Sequence, residues 1–381
     1  MTPVSPFCPS RFHGLWPNII NPKYLGLVAD IARHCHPMEH RKAVRMFFRS
    51  LFWFGYSKRW FEQIAHSALL SELVKLERNL PEKLHRHYLR MDYPIKKRLQ
   101  LIAGHYQIME QVLAPQLVQQ TLLMGGLVLS RIEIDPDLCF DLILGYGGYP
   151  GKEGELAIFM RQVGLVYDLA FLSFNLVSCA NGHAIYIGCS QGSNAPNSRE
   201  LVGQASSACS GLSPKRILME ALFALAKQVG AKEILGVSDG QHISNRKVAK
   251  YFSYDDYWLE FCTVRNQNGD YALPLALTHK DMKDVPTKRR AKYRRQRALL
   301  EAIQQDTIQL FECQGASCAD LRGSLRFSSQ CHYKPASCRN PVRSVPPFGY
   351  PRITKWDIYV EIETIGLRQF QVKFQIAILH F

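Results

Sequence analysis

The sequence predicts an α+β protein in which an N-terminal helical region packs on a mainly antiparallel sheet with one strand–helix–strand crossover. Three observations carry this expectation. Residues 41–76 place apolar side chains in clumps at helical spacing, with basic residues between them. Residues 141–189 fall into short apolar runs divided by turn residues, the pattern of a meander. Ser213-Pro214 then opens an apolar helix, because a serine cap followed by proline at the first helical position starts one efficiently.

In chain order, residues 1–126 form a basic, mainly helical region punctuated by Pro81, Pro94 and Pro115, since proline ends or kinks a helix. Residues 127–309 form the α/β core. Its meander begins at Asp141-Leu142-Ile143-Leu144, turns over residues 147–151, resumes at 155–160 and 165–174, turns again at Asn181-Gly182 and ends in a strand over 184–189. The helix after Ser213 buries Ile217, Leu218, Ala221, Leu222, Leu225, Ala226 and Val229. Gly230 closes it, and residues 234–237 read as a strand that returns parallel to the one before the helix. Residues 283–304 read as a basic helix. Residues 310–381 form an atypical cysteine-rich tail with Cys313, Cys318, Cys331 and Cys338, followed by a strand-like stretch; core packing is expected to be complete without it.

Apolar residues make up 47% of the 381-residue chain and charged ones 21%, which excludes a disordered protein. The net charge of +15 is uneven. Residues 1–111 hold 17 Lys/Arg against 8 Asp/Glu, residues 112–280 hold 13 against 15, and residues 281–381 hold 17 against 9. Basic flanks around a neutral middle suit an acidic partner, nucleic acid or an anionic membrane surface, and equally an ordinary solvated exterior. Pro3, Pro6, Pro9 and Pro17 interrupt the start, so no secretory signal is expected. The charge-free stretches at 111–130 and 169–198 are too polar to span a membrane. Eleven cysteines without a signal peptide suggest reduced thiols in a cytoplasm, with Cys189 and Cys209 read as small core or surface residues.

Asp239 and His242 form the most polar spot at a predicted strand end. His242 suits a general base with Asp239 orienting it, and a hydrogen-bonded turn accounts for the same residues. Gln191 and Gly192 after a strand, with Ser213, Lys215 and Arg216 at a helix start, suit a phosphate group, although no compact glycine-rich phosphate motif is present. Lys288, Arg289, Arg290, Lys292, Arg294, Arg295 and Arg297 put seven positive charges in ten residues, a polyanion-binding pattern or the wet face of a docked helix balanced by Asp255-Asp256. The aromatic cluster Phe47, Phe48, Phe52, Trp53, Phe54, Tyr56, Trp60 and Phe61 among basic residues suits either a packed core or a membrane surface. The tail cysteines lack the tight pairs of zinc knuckles, so no metal is expected.

The ordered set Cys139-Phe140-Asp141-Leu142, Glu153-Gly154-Glu155-Leu156, Ile187-Gly188-Cys189 with Gln191-Gly192, and Leu212-Ser213-Pro214-Lys215 continues into Tyr254-Asp255-Asp256-Tyr257-Trp258, Leu273-Pro274 and the basic run at 288–295. This resembles the VirK/YbjX family of bacterial proteins, a domain of unknown function, over roughly residues 30–305. The resemblance implies a cytoplasmic protein of Gram-negative bacteria whose relatives are associated with virulence, envelope remodelling and tolerance of cationic antimicrobial peptides; the basic surfaces leave a peripheral place at the inner membrane open. It supplies no catalytic residues. The tail departs from the pattern, as a lineage-specific extension or a frame change would. Two function classes stay open: an accessory or regulatory protein acting through basic surfaces, and an enzyme. The meander and crossover resemble in outline the acyl-coenzyme A-dependent N-acyltransferase fold, whose donor would then be acyl-CoA. Strands parting around Ile187 and Leu235 over a cleft would favour the enzyme; a filled sheet would favour the binder.

Overall fold

Asn21 accepts a hydrogen bond from Lys23 N–H at 3.0 Å with Pro22 behind it, and this cap starts the first helix of the computed structural model, which describes residues 21–147, 151–244, 252–261, 263–277 and 280–312. Helices α1 (Pro22–Cys35), α2 (His40–Phe52), α3 (Phe54–His66) and α4 (Ala68–Leu76) follow one another closely. A short 3-10 helix at Leu80–His85, α5 (Ile95–Val112) and α6 (Pro115–Leu123) complete the helical region, each of the three with a proline at or just before its start.

The meander is β1 (Leu127–Asp135), β2 (Leu138–Tyr146), β3 (Leu156–Gln162), β4 (Asp168–Cys179) and β5 (Gly182–Gly192). Helices α7 (Ser198–Ala208) and α8 (Pro214–Gln228) then carry the chain to β6 (Glu233–Gly236). Ser213 caps α8 through Arg216 N–H, and Gly230 leaves it at φ 70°. Helix α9 (Tyr254–Leu259) leads to the hairpin β7 (Val264–Arg265) and β8 (Tyr271–Leu273), and α10 (Thr287–Glu312) closes the described chain. The strands form one eight-stranded sheet in the order β1-β2-β3-β4-β5-β6-β8-β7. Every neighbouring pair is antiparallel except β5 and β6.

The fold is therefore α+β, as the sequence predicts, with additions. Strand β1 and the β7–β8 hairpin extend the sheet at both ends, and α7 lengthens the crossover. The basic helix runs to Glu312, beyond its expected end. Its C-terminal half buries Leu300, Ile303 and Thr307; Gln296 donates to Ser210 O before α8, and Ser130 of β1 donates to Asp306 at 2.6 Å. The cysteine-rich tail, with Cys313, Cys318, Cys331 and Cys338, lies outside the described residues.

A single hydrophobic cluster runs from Val28 and Trp60 in the helices through Phe174 in the sheet to Leu222 in α8. Polar ties cross the same junction. Glu155, fully buried, takes Lys83 Nζ at 2.8 Å and the hydroxyls of Tyr88 and Tyr106, while its own N–H donates to Asn175 Oδ1 at 2.7 Å. Arg90 Nη1 donates to Asp270 Oδ2 at 2.8 Å, and Tyr186 OH donates to the other oxygen of that carboxylate. The segment carrying Tyr88, Leu89 and Arg90 is thereby held across the carboxyl ends of β5 and β6. Leu89 adopts a left-handed φ of 57° and donates to Lys152 O at 2.7 Å.

Candidate functional site

Strand β5 runs parallel to β6 from the pair Ala184 and Glu233 to the pair Ile187 and Gly236, and Val237 N–H still donates to Ile187 O at 3.0 Å. Beyond that point the strands part. β5 continues to Gly192, whereas Gln241 and His242 both donate their N–H groups back to Ser238 O and fold the chain under the sheet end. On the other side β4 pairs Ser173 with Cys189 but Phe174 with Ile187, so Gly188 is an extra, bulged residue. A Cβ on Gly188 would lie 2.0 Å from Glu153 O and 3.1 Å from Leu89 Cδ2, and only glycine fits. The bulge brings three elements together: Glu153 before β3, Cys189 on β5 and His242 after β6.

Their ligand atoms lie within 4.8 Å of one another, and all three residues are buried. His242 Nδ1 accepts Ser244 N–H at 3.1 Å, which places the ring proton on Nε2. Nε2 faces Glu153 Oε1 at 3.4 Å, and neither it nor Glu153 Oε2 has a hydrogen bond of ordinary geometry among the described residues. Burial pushes the Glu153 carboxyl up to about 7, against the pull of Cys189 and Lys152. Burial pulls His242 down to about 4 despite the charge of Asp239, so the imidazole is neutral at physiological pH. Burial, then the Glu153 charge, raises the Cys189 thiol well above its usual range. A divalent cation on this trio would need Nε2 stripped of its proton while Nδ1 keeps accepting from Ser244. The geometry suits a proton-carrying relay better than a metal centre.

Aromatic side chains from α9 fill the parting. Tyr254 stacks on His242 with ring centroids 4.6 Å apart, and its hydroxyl accepts Ser190 N–H at 3.3 Å. Trp258 lies on Gly236, where a Cβ would meet its ring at 2.6 Å, and donates to Val237 O at 2.7 Å. The strands thus stay paired through Leu235 and Ile187 and separate only past Val237, where side chains occupy the gap in place of an open cleft.

The sequence-derived candidates distribute unevenly over this site. His242 is at its centre. Asp239 is not its orienting partner: it accepts Tyr254 N–H at 2.7 Å and Ser253 Oγ at 2.9 Å and so anchors the start of α9. Asn245 and Arg246 of the same polar run lie outside the described residues. Lys215, at the start of α8, packs its ammonium over Phe252 at 3.5 Å, and burial lowers it to about 8 against the opposing charge of Glu260. Ser213 is committed to capping, Arg216 rests over Phe261 at 5.2 Å, and Gln191 and Gly192 end β5 with α7 intervening before that cap. Sequence reasoning missed Glu153 as a site residue and read Cys189 as filler. Their only signal was membership of the ordered motif set.

On α10, Lys288, Arg289, Lys292, Arg294 and Arg295 are exposed. Arg290 is half-buried and donates to Val285 O, and Arg297 pairs with Glu301 one turn on. Asp255 bonds Arg265 and Asp239 N–H and does not balance this helix.

The family of proteins of unknown function called DUF535 matches residues 36–309, which takes in the helical region after α1, the sheet and most of α10. The chain belongs to the DUF535 family. Uncharacterized protein YbjX of Escherichia coli is 28% identical over 298 residues, covering 75% of this chain and 90% of the relative. An uncharacterised Haemophilus influenzae protein is 30% identical over 183 residues, covering 46% of this chain and 58% of that one. Membrane protein LapB of Mannheimia haemolytica is 27% identical over 216 residues, 54% of this chain and 89% of its own. No solved structure matches the chain. The matched span of the DUF535 family contains all of Glu153, Cys189, His242 and Tyr254. Among the described residues no helix is long and apolar enough to cross a membrane.

Proposed function

We propose that the protein is an acyltransferase that takes an acyl group from a thioester donor, acyl-CoA, at the parting of β5 and β6. The observation that carries this reading is the placement of a buried carboxyl of neutral pKa, Glu153, beside a bulge in the strand bordering the sheet's one parallel step. A meander, a crossover helix and a returning hairpin in the order β5-β6-β8-β7 resemble in outline the N-acyltransferase fold, by analogy of topology alone. The side chains add chemistry to that outline. Glu153, ionised near neutral pH, accepts a proton from an acceptor amine as the nitrogen bonds to the thioester carbonyl carbon; the C–S bond then breaks, CoA leaves as its thiolate and takes up the proton that Glu153 gained, and the Nε2–H of His242 steadies the carboxylate. Ser190 N–H, once released by Tyr254, can donate to the thioester carbonyl as charge develops on its oxygen. Lys215 and the start of α8 offer positive charge for the donor's diphosphate. The filled parting by itself speaks for a binder, so the enzyme reading requires Tyr254 to give up its bond to Ser190 and leave His242 for the donor to lie along β5. A reduced Cys189 suits a cytoplasmic setting. The LapB relative is named a membrane protein, which agrees with an acceptor at a membrane.

Acyl-CoA is expected to raise the melting temperature of the protein, and transfer to an amine acceptor is expected to increase as pH rises through about 7, where Glu153 loses its proton. E153Q should bind the donor and fail to transfer. Absence of a melting shift across acyl chain lengths, together with no transfer, would remove the acyltransferase reading.

A second reading rests on α10, where Lys288, Arg289, Arg294 and Arg295 are exposed and have no acidic partner among the described residues. Such a patch suits nucleic acid. Replacing these four by Gln should leave the fold intact, weaken RNA binding and flatten its salt dependence. If the unaltered protein ignores RNA at about 0.1 M salt, where charges are only partly screened, the patch serves no nucleic-acid role.

A further inference from the structure

Helix α2 turns its chemistry the wrong way round for a soluble protein. The side facing the core carries Ala43, Met46 and Ser50, two of them small, and Ser50 satisfies its hydroxyl on Met46 O one turn back. At 100° per residue the opposite side carries Arg41, Val44, Arg45, Phe48 and Phe52. Phe52 is 80% exposed, Val44 54% and Phe48 46%, and Met38, just before the helix, is 89% exposed. Other members of the aromatic cluster behave ordinarily: Trp60 and Phe61 of α3 are buried. The two phenylalanines stay out although each has an inward aromatic neighbour, Phe47 and Trp53, in edge contact with it. Arg41 and Arg45 are exposed between them and make no ion pair among the described residues.

We propose that α2 docks the protein on an anionic lipid bilayer, laying Val44, Phe48 and Phe52 into the boundary between headgroups and chains, with Arg41 and Arg45 on the lipid phosphates. Alternating apolar and cationic side chains on one convex helix face match such a boundary, where apolar burial and phosphate contacts are satisfied together. A second copy of the chain fits less well, because a two-fold contact through this face sets the arginines of each protomer against those of the other. The proposal is independent of the acyl-transfer site, which lies at the sheet end, and of the basic half of α10.

The test is sedimentation of the full chain with vesicles of phosphatidylglycerol and phosphatidylethanolamine, and with vesicles of phosphatidylcholine alone. The protein should associate with the first and hardly with the second. F48S/F52S should lower the partition coefficient about tenfold or more, the scale of two lost apolar insertions. R41Q/R45Q should weaken binding and reduce its response to salt. All four positions are solvent-facing, so melting temperatures should hold. Replacing Lys288, Arg289, Arg294 and Arg295 on α10 should leave vesicle binding in place. Equal binding to both vesicle types, loss of binding with the α10 variant while F48S/F52S binds normally, or a dimer that F48S/F52S dissociates in a protein indifferent to vesicles would each overturn the proposal.

Discussion

Glu155→Ala is expected to destabilise the protein by about 3–5 kcal/mol, the range seen when one partner of a buried ion pair is removed. Lys83 has its ammonium 2.8 Å from this carboxylate, and both side chains are buried. Without Glu155 the cation stays in the interior, and the Tyr88 and Tyr106 hydroxyls lose their acceptor. Burial alone would raise the Glu155 pKa, but Lys83 outweighs it with help from His105 and the hydrogen bonds, and the net shift is downward from 4.5. The folded value lies below the unfolded one, so the contribution is present above the unfolded value and is lost as pH falls through the folded one. Urea unfolding at neutral pH measures the cost. E155Q/K83M, which removes both charges, should recover part of it. A loss under about 1 kcal/mol for Glu155→Ala would mean that Lys83 finds another partner, against the network as described.

Gly188→Val should be worse tolerated in practice, with little soluble protein. Even Gly188→Ala should cost about 3 kcal/mol or more, because the added carbon meets the backbone oxygen of Glu153 and not a flexible side chain. Gly192, four residues on, has nothing within 4 Å of where a Cβ would sit. Gly192→Ala is therefore the control and should melt as the parent does. Equal melting temperatures for the two alanine variants would contradict the bulge. If the proposed acyl transfer holds, any Gly188→Ala protein that folds should also have lost it, since Glu153 must move aside.

The parts legible in the sequence are those set by local chemistry. Ser213-Pro214 places α8 because its cap and first turn need nothing from the rest of the chain. Asn181-Gly182 places the turn between β4 and β5, with Gly182 at φ 132°. Strand β1 is not legible: its burial alternates only in part, and its outer residues Glu133, Ile134 and Asp135 are exposed. Strands β7 and β8 are two and three residues long, too short for any period. At the candidate site, His242 is visible as a polar residue after a strand. Its pairing with Glu153 depends on a bulge in a third segment, and no spacing rule connects them. Asp239 shows the opposite failure: proximity in sequence suggested a partnership, but its carboxylate instead anchors the start of α9.

The buried cations have a consequence for how the chain is made. Lys83 leaves the ribosome well before the carboxylate that neutralises it, 72 residues later, and Arg90, which meets Asp92 two residues on, waits 180 residues for the buried Asp270. Until Glu155 arrives Lys83 has no carboxylate to enter the interior with, and until Asp270 arrives Arg90 has only the exposed Asp92, so the newly synthesised helical region cannot reach its final packing alone. Closure of the segment around Leu89 over the sheet end then waits for β8, one of the last strands to emerge. Assembly of the candidate site is in this way deferred to the end of synthesis, and a chain stopped before residue 270 would display Arg90 without its buried carboxylate and an open sheet end that a quality-control protease can recognise.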